Sequence, residues 1–266
     1  MVSFRHVVIV NKDKGLTSRE VDVAIKEIYG CKKAGHAGTL DPNTTGLLAI
    51  CLDEATKLMP LLMGSDKEYE GIIYLHKDIS LSELKRQIKK HFIGEITQVP
   101  PVKSRVSRKE RKRIIYSFDI LKKDGKNIFF RTKVQAGTYI RKLAYDLGQK
   151  IKTGAHLKEL NRTHVANIGI NQSHFLKEIK ERPYESLIDI ENVFDFAKKI
   201  EIKNSSIKKV IHGLPIFSED IISSDNAEKD EYVCIKNSGK ILALGKIIKD
   251  GKEKKIKVDR VLSFNR

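Results

Sequence analysis

The stretch Gly35-His36-Ala37-Gly38-Thr39-Leu40-Asp41-Pro42, continuing through Thr45-Gly46 to Leu47, sets one carboxylate on a glycine-rich loop. The proline biases Asp41 toward extended backbone, and a loop held by regular elements keeps a side chain in place while leaving it open to a ligand. An aspartate so placed suits a nucleophile or a general acid or base. Taken alone, an Asp-Pro pair is more often an Asx-turn bonded to its own backbone, so the context has to decide. His36 in the same stretch could hydrogen-bond the loop or meet a ligand. A second chemical feature is the run 103–113, with seven basic residues and one acidic among eleven. Such a run is usually a solvated surface, but Pro100 and Pro101 before it and a strand-like run after it favour a flap that closes on a polyanion. Lys103, Arg105, Arg108 and Arg111 are its candidate polyanion contacts.

These residues need elements to hold them. Residues 6–10 read as a short strand, and Thr17-Ser18-Arg19-Glu20 forms a capping-box pattern ahead of Val21, Ala24, Ile25 and Ile28 at helical spacing. Residues 35–46 read as loop and 47–52 as a buried strand, so Asp41 lies on a loop feeding a core strand. Ser80 and Glu83 start a helix carrying Leu81, Leu84, Ile88 and Phe92. Runs 114–121 and 128–136 flank Asp124-Gly125 as a hairpin, and 139–152 is a helix ended by Gly154. The segment 175–203 reads as linking helices. A second hairpin, 232–236 and 241–247 around Asn237-Ser238-Gly239-Lys240, lies in a β-rich C-terminal stretch.

Composition bounds the function classes. The 266 residues suit one larger and one smaller domain, expected at 1–185 and 204–266 with a linker at 186–203. No apolar run reaches the roughly 18–20 residues of a membrane span, and the N-terminus has no secretory pattern. Three cysteines far apart make neither a disulfide framework nor a zinc half-site, which fits a reducing, cytoplasmic setting and no metal. No P-loop or dinucleotide fingerprint occurs, so no cofactor is expected. The net charge of +17 is spread along the chain, with 14 basic against 10 acidic residues in 201–266. A polyanion partner follows from it, and a Lys-rich solubilising surface stands equally open on composition alone.

GHAGTLDPNTTGLLAICLDEATKL resembles the signature of the tRNA pseudouridine synthase B and dyskerin superfamily. Further motifs of that family continue in register: Lys67-Glu68-Tyr69, then Gly137-Thr138-Tyr139-Ile140-Arg141-Lys142-Leu143, then Gly154-Ala155-His156-Leu157-Lys158-Glu159-Leu160. Leu75-His76-Lys77-Asp78-Ile79, Pro100 through Ser104, and Val134-Gln135-Ala136 are closer to the box H/ACA type than to the bacterial stand-alone type. The resemblance is good over 7–165. It returns over 207–261, which resembles a PUA domain through His212-Gly213, the second hairpin and Ala243-Leu244-Gly245.

The resemblance implies a fold of α+β class. A mixed, largely antiparallel sheet with flanking helices would be followed by a small β-barrel-like PUA domain. It implies Asp41 as the nucleophile, Tyr69 as the residue stacked on the flipped base, and Arg141 as the partner of Asp41. It also implies substrate-binding roles for His36, Leu160 and Lys12, although Asp13 replaces the proline expected after Lys12, and Asn161 stands where arginine is usual. Without the resemblance, Tyr69 reads as a core tyrosine and Arg141 as a solvated helix-face arginine. The partners implied are a box H/ACA guide RNA, ribosomal RNA, tRNA and H/ACA core proteins. The expected activity is pseudouridine formation, guided on ribosomal RNA and guide-free on the TΨC loop of tRNA. The alternatives are a stand-alone tRNA synthase and a non-catalytic ribosome-assembly factor that binds RNA.

Overall fold

The computed structural model describes residues 4–100, 107, 109–250 and 253–262. The larger sheet is built from β1 (His6–Lys12), β2 (Ala34–His36), β3 (Thr44–Leu52), β4 (Lys67–Leu75), β5 (Gly94–Gln98), β6 (Arg111–Asp124), β7 (Asn127–Val134), β8 (Ala155–Val165), β9 (Ile168–Gly169) and β10 (Leu187–Asp189). Their order is β10-β1-β3-β8-β4-β7-β6-β5, with β2 beside β3 and β9 beside β8. The one parallel pairing among these strands is β3 with β8, which joins the loop strand to the strand carrying Leu160.

The sequence explains why β3 is central. Its run Leu47–Leu52 is buried on both faces, so it shows no polar alternation. Leu47, Ala49 and Cys51 face one apolar cluster with Val7 and Ile9, whereas Leu48, Ile50 and Leu52 face another with Val21 and Ile25. The latter two belong to α1 (Ser18–Tyr29). Its capping box is complete: Thr17 Oγ1 accepts from the Glu20 amide at 3.1 Å, and the Glu20 carboxylate accepts from the Thr17 amide at 2.7 Å. After the short α2 (Met59–Gly64), helices α3 (Leu81–His91) and α4 (Ile140–Lys150) bury Leu84, Ile88, Leu143 and Leu147 against Ile73, Phe118 and Phe130 of the sheet. No described helix is long and apolar enough to cross a membrane.

Gly46 lets β3 approach β8. A Cβ there would lie 2.4 Å from both the Arg162 carbonyl and Asn161 Oδ1, and its φ of +99° is a conformation that L side chains rarely adopt.

A second sheet holds β11 (Lys199–Ile202), β12 (Ile221–Ser224), β13 (Tyr232–Asn237), β14 (Lys240–Asp250) and β15 (Glu253–Val261) in the order β12-β11-β13-β14-β15. Positive φ at Ser238 (49°) and Gly239 (77°) gives the β13–β14 hairpin the turn whose twist matches its strands. This sheet has its own core, including Ile200, Val233, Ile235 and Ile256. Its Cys234, Ile241 and Leu244, with Leu262 just beyond β15, join the cluster containing Val7 and Leu47.

The stretch read as linking helices is more varied. Short helical turns do occur at Leu176–Glu181 and Ile190–Val193. Residues 186–203, however, also contain β10, paired with β1, and β11, which belongs to the second sheet. Strands of three or four residues are too short to carry a period, and pairing with distant partners defines them.

Candidate active site

The loop between β2 and β3 is held through its carbonyls, which leaves Asp41 exposed at its crest. Arg162 Nη2 donates to the Gly38 carbonyl at 2.9 Å, and Ser18 Oγ donates to the Leu40 carbonyl at 3.0 Å. The Thr44 amide donates to the Asp41 carbonyl at 2.9 Å, and the Gly15 amide to the Pro42 carbonyl at 2.8 Å. Leu40 is buried beneath the loop, and its amide donates back to Ser18 Oγ. With its backbone anchored this way, Asp41 has little freedom beyond its own side-chain torsions.

Arg141 lies in the first turn of α4 and pairs through Nη2 with Asp41 Oδ2, one hundred residues away in sequence. Both side chains are about half exposed, at 52% and 55%. The pair is a charge-assisted hydrogen bond that directs one guanidinium N–H at one carboxylate oxygen.

Tyr69 on β4 is 8% exposed and packs in the core that α3 and α4 share with the sheet. Its backbone partner across β4–β8 is Arg162. That arginine is 1% exposed, donates Nε to the Leu47 carbonyl at 2.8 Å, and lies against the Tyr69 phenol. Burial lowers the Arg162 pKa, and the contact with Tyr69 opposes the shift. Nearby, Lys67 donates to the carbonyls of Leu62 (2.9 Å), Met63 (3.1 Å) and Ser65 (2.6 Å). Burial, aided by the Arg162 charge, pushes Lys67 down to about 8. Leu160 on β8 is half-buried against the same core. It also lines a cavity of about 400 Å³ with Lys14, Asn43, Thr45 and Phe129.

The other expected residues fall in different places. His36 ends β2, with Nδ1 2.8 Å from Asp22 Oδ2 and Nε2 3.0 Å from Thr39 Oγ1. Lys12, expected to bind substrate, is fully buried. Its ammonium donates to the carbonyls of Asp13 (2.8 Å), Leu16 (2.8 Å) and Pro42 (3.3 Å), so it supports the loop from behind and presents nothing to a ligand. Burial lowers its pKa against the opposing charges of Asp13 and Asp41. Arg111 begins β6, whereas Lys103, Arg105 and Arg108 lie outside the described residues. Asn161 accepts the Thr45 hydroxyl at 3.0 Å.

Sequence reasoning passed over four residues of this site: Ser18, Asp22, Lys67 as a buried cation, and Arg162. A usable signal existed for one of them. Asp22 is a carboxylate set between Val21 and Ile25 on the apolar side of a helix, where a charge is out of place.

Comparison with known proteins gives concordant matches. Residues 26–140 match the model of the TruB family pseudouridylate synthase N-terminal domain, and 141–196 match that of the tRNA pseudouridylate synthase B C-terminal domain. A probable tRNA pseudouridine synthase B of Methanocaldococcus jannaschii is 36% identical over 93% of this chain and 77% of its own length. A protein of the same description from Methanopyrus kandleri is 37% identical over 89% of this chain and 75% of its own length. Among solved structures, a chain of a Cbf5-Nop10-Gar1 complex superposes with a TM-score of 0.88 at 32% identity, covering 96% of this chain and 84% of that one. A chain of an H/ACA ribonucleoprotein bound to a substrate RNA containing 2′-deoxyuridine gives 0.85 at 29% identity, covering 97% and 85%.

Proposed function

The chain belongs to the TruB family of pseudouridylate synthases and isomerises uridine to pseudouridine in RNA, and on that premise we propose that Asp41 is its nucleophile. Attack by the carboxylate on the nucleoside lets the bond from uracil N1 to its ribose carbon break; the uracil turns and rejoins that carbon through C5, the carboxylate is released, and C5 loses its proton while N1 gains one. Arg141 holds and aims the carboxylate, and Tyr69 stacks on the extruded base and assists removal of the C5 proton. Leu160 forms part of the apolar wall, His36 meets the extruded nucleotide, and Lys12 and Arg162 hold the loop. The observation that carries this reading is the Asp41–Arg141 ion pair on a loop whose carbonyls are individually anchored. Asp41→Asn keeps the shape and removes the charge. Tritium release from C5-labelled uridine RNA is expected to cease while RNA binding stays near wild type, and appreciable turnover would remove Asp41 from the mechanism.

The setting we propose is a box H/ACA particle, in which a guide RNA and H/ACA core proteins direct Asp41 to ribosomal RNA. The likeness to a chain of an H/ACA ribonucleoprotein bound to substrate RNA supports it, as does the +17 charge. Residues 204–266, together with β11 just before them, would be the PUA module that docks the guide. Guide-free action on the TΨC loop of tRNA is the second reading, and the tRNA synthase descriptions of the relatives favour it. Cutting the module away would strip Cys234, Ile241, Leu244 and Leu262 from the shared core, so a point variant tests the choice better. Lys208, within the helical turn Ile207–Ile211 that precedes His212-Gly213, and Lys257, on the strand β15 that this turn contacts, are both exposed. Lys208→Glu with Lys257→Glu is expected to slow guided turnover far more than turnover of a tRNA stem-loop, and to shallow the salt dependence of guide binding. Equal losses on both substrates would favour stand-alone action on tRNA.

A further inference from the structure

Helix α1 lays two buried polar residues, one turn apart, against the loop that carries Asp41. Ser18, 2% exposed, brackets the Leu40 backbone with two hydrogen bonds. Asp22, 4% exposed, lies four residues on, so the two share a face of the helix. Asp22 Oδ2 sits 2.8 Å from His36 Nδ1, and on the far side of that ring Nε2 sits 3.0 Å from Thr39 Oγ1, two residues before Asp41. The other carboxylate oxygen, Oδ1, is buried with no hydrogen-bond partner. Arg19 comes no nearer than 4.0 Å to Oδ2 and is 80% exposed.

A buried carboxylate with one oxygen unpaired costs folding free energy, and the neighbouring Val21 and Ile25 mark a site that would accept an apolar residue. A local rule broken at the edge of a reactive loop points to function rather than stability. The chemistry is specific: an ionised carboxylate only accepts, so Nδ1 must carry a proton, and Nε2 is left as the atom directed at the loop.

We propose that Asp22 is a positioning residue, whose carboxylate fixes His36 as the Nδ1–H tautomer and aims Nε2 at the Asp41 loop, so that His36 meets the extruded uridine in one orientation. The proposal rests on the reading of His36 as a substrate-contacting residue.

The test uses the full chain with Asp22→Leu, Asp22→Asn, His36→Ala and the Leu–Ala double variant. Turnover of a C5-tritiated tRNA stem-loop, thermal melting and the imidazole ¹⁵N spectrum are read for each, His36 being identified by its absence in His36→Ala. Asp22→Leu should melt no lower than wild type, because an unsatisfied buried carboxylate has become apolar. It should nevertheless lose about tenfold in kcat, the worth of one hydrogen bond to a charged group, with KM little changed. Its His36 signal should move toward the Nε2–H tautomer. Asp22→Asn, which still accepts from Nδ1–H, should recover most of the rate, and adding Asp22→Leu to His36→Ala should cost nothing more. A Leu variant that melts lower or fails to fold, or whose loss adds to that of His36→Ala, would make Asp22 structural and overturn the proposal. If His36→Ala is impaired while Asp22→Leu is not, only the role of Asp22 falls. A fully active His36→Ala would remove the reading of His36 and the proposal together.

Discussion

Replacing Arg141 by lysine separates what its ion pair with Asp41 does for the fold from what it does for the reaction. Both side chains are about half exposed, and exposed pairs contribute only about 0–1 kcal/mol to stability. For a chain of this size that corresponds to a fall in Tm of no more than about 2–4 °C. Catalysis is a different matter, because lysine keeps the charge but loses the planar fork that directs an N–H at one carboxylate oxygen. A hydrogen bond to a charged group is worth about 1.5–3 kcal/mol, so its loss where the carboxylate must be aimed should slow turnover about 10- to 100-fold. Single-turnover tritium release gives the rate, and thermal denaturation of the same preparation gives the stability. A lysine variant within about twofold of the wild-type rate would return Arg141 to a solvated helix face and refute the reasoning. A rate loss that tracks a Tm fall of about 10 °C would refute it as well, since the pair would then be structural.

Gly46→Ala should destabilise the chain by about 3 kcal/mol in urea denaturation, because its Cβ would meet two β8 oxygens at 2.4 Å from a backbone with φ +99°; a cost below about 1 kcal/mol would mean that the β3–β8 contact yields easily. Lys67 makes the fold pH-dependent in a stated direction. Its folded pKa of about 8 lies below the ordinary 10.5, so the unfolded chain holds the extra proton between those values and stability contributed at this site rises with pH. The stability difference between wild type and Lys67→Met should therefore shift in favour of wild type by roughly 3 kcal/mol from pH 8 to 10.5; a flat difference would mean the ammonium is not buried as described.

Several parts of this protein could be read along the chain because their causes are local. The capping box of Thr17 and Glu20, the apolar spacing of α1, α3 and α4, the two hairpin turns and the motif around Asp41 depend on residues within a few positions of each other. Other parts exist only because distant segments meet. The three-residue β10 and four-residue β11 are strands because β1 and β13 give them partners, and nothing in residues 186–203 announces either pairing. The fate of each charged side chain was decided the same way. Lys12 and Lys14 lie two residues apart, yet the fold turned Lys12 inward onto three carbonyls and left Lys14 exposed. Arg162 was one residue of a strand until β3 and β4 closed on it from both sides, leaving it to hold Gly38 and face Tyr69. Side-chain type and period are short-range properties of the chain, whereas burial and ion pairing depend on which segments the folded sheet brings within hydrogen-bond reach.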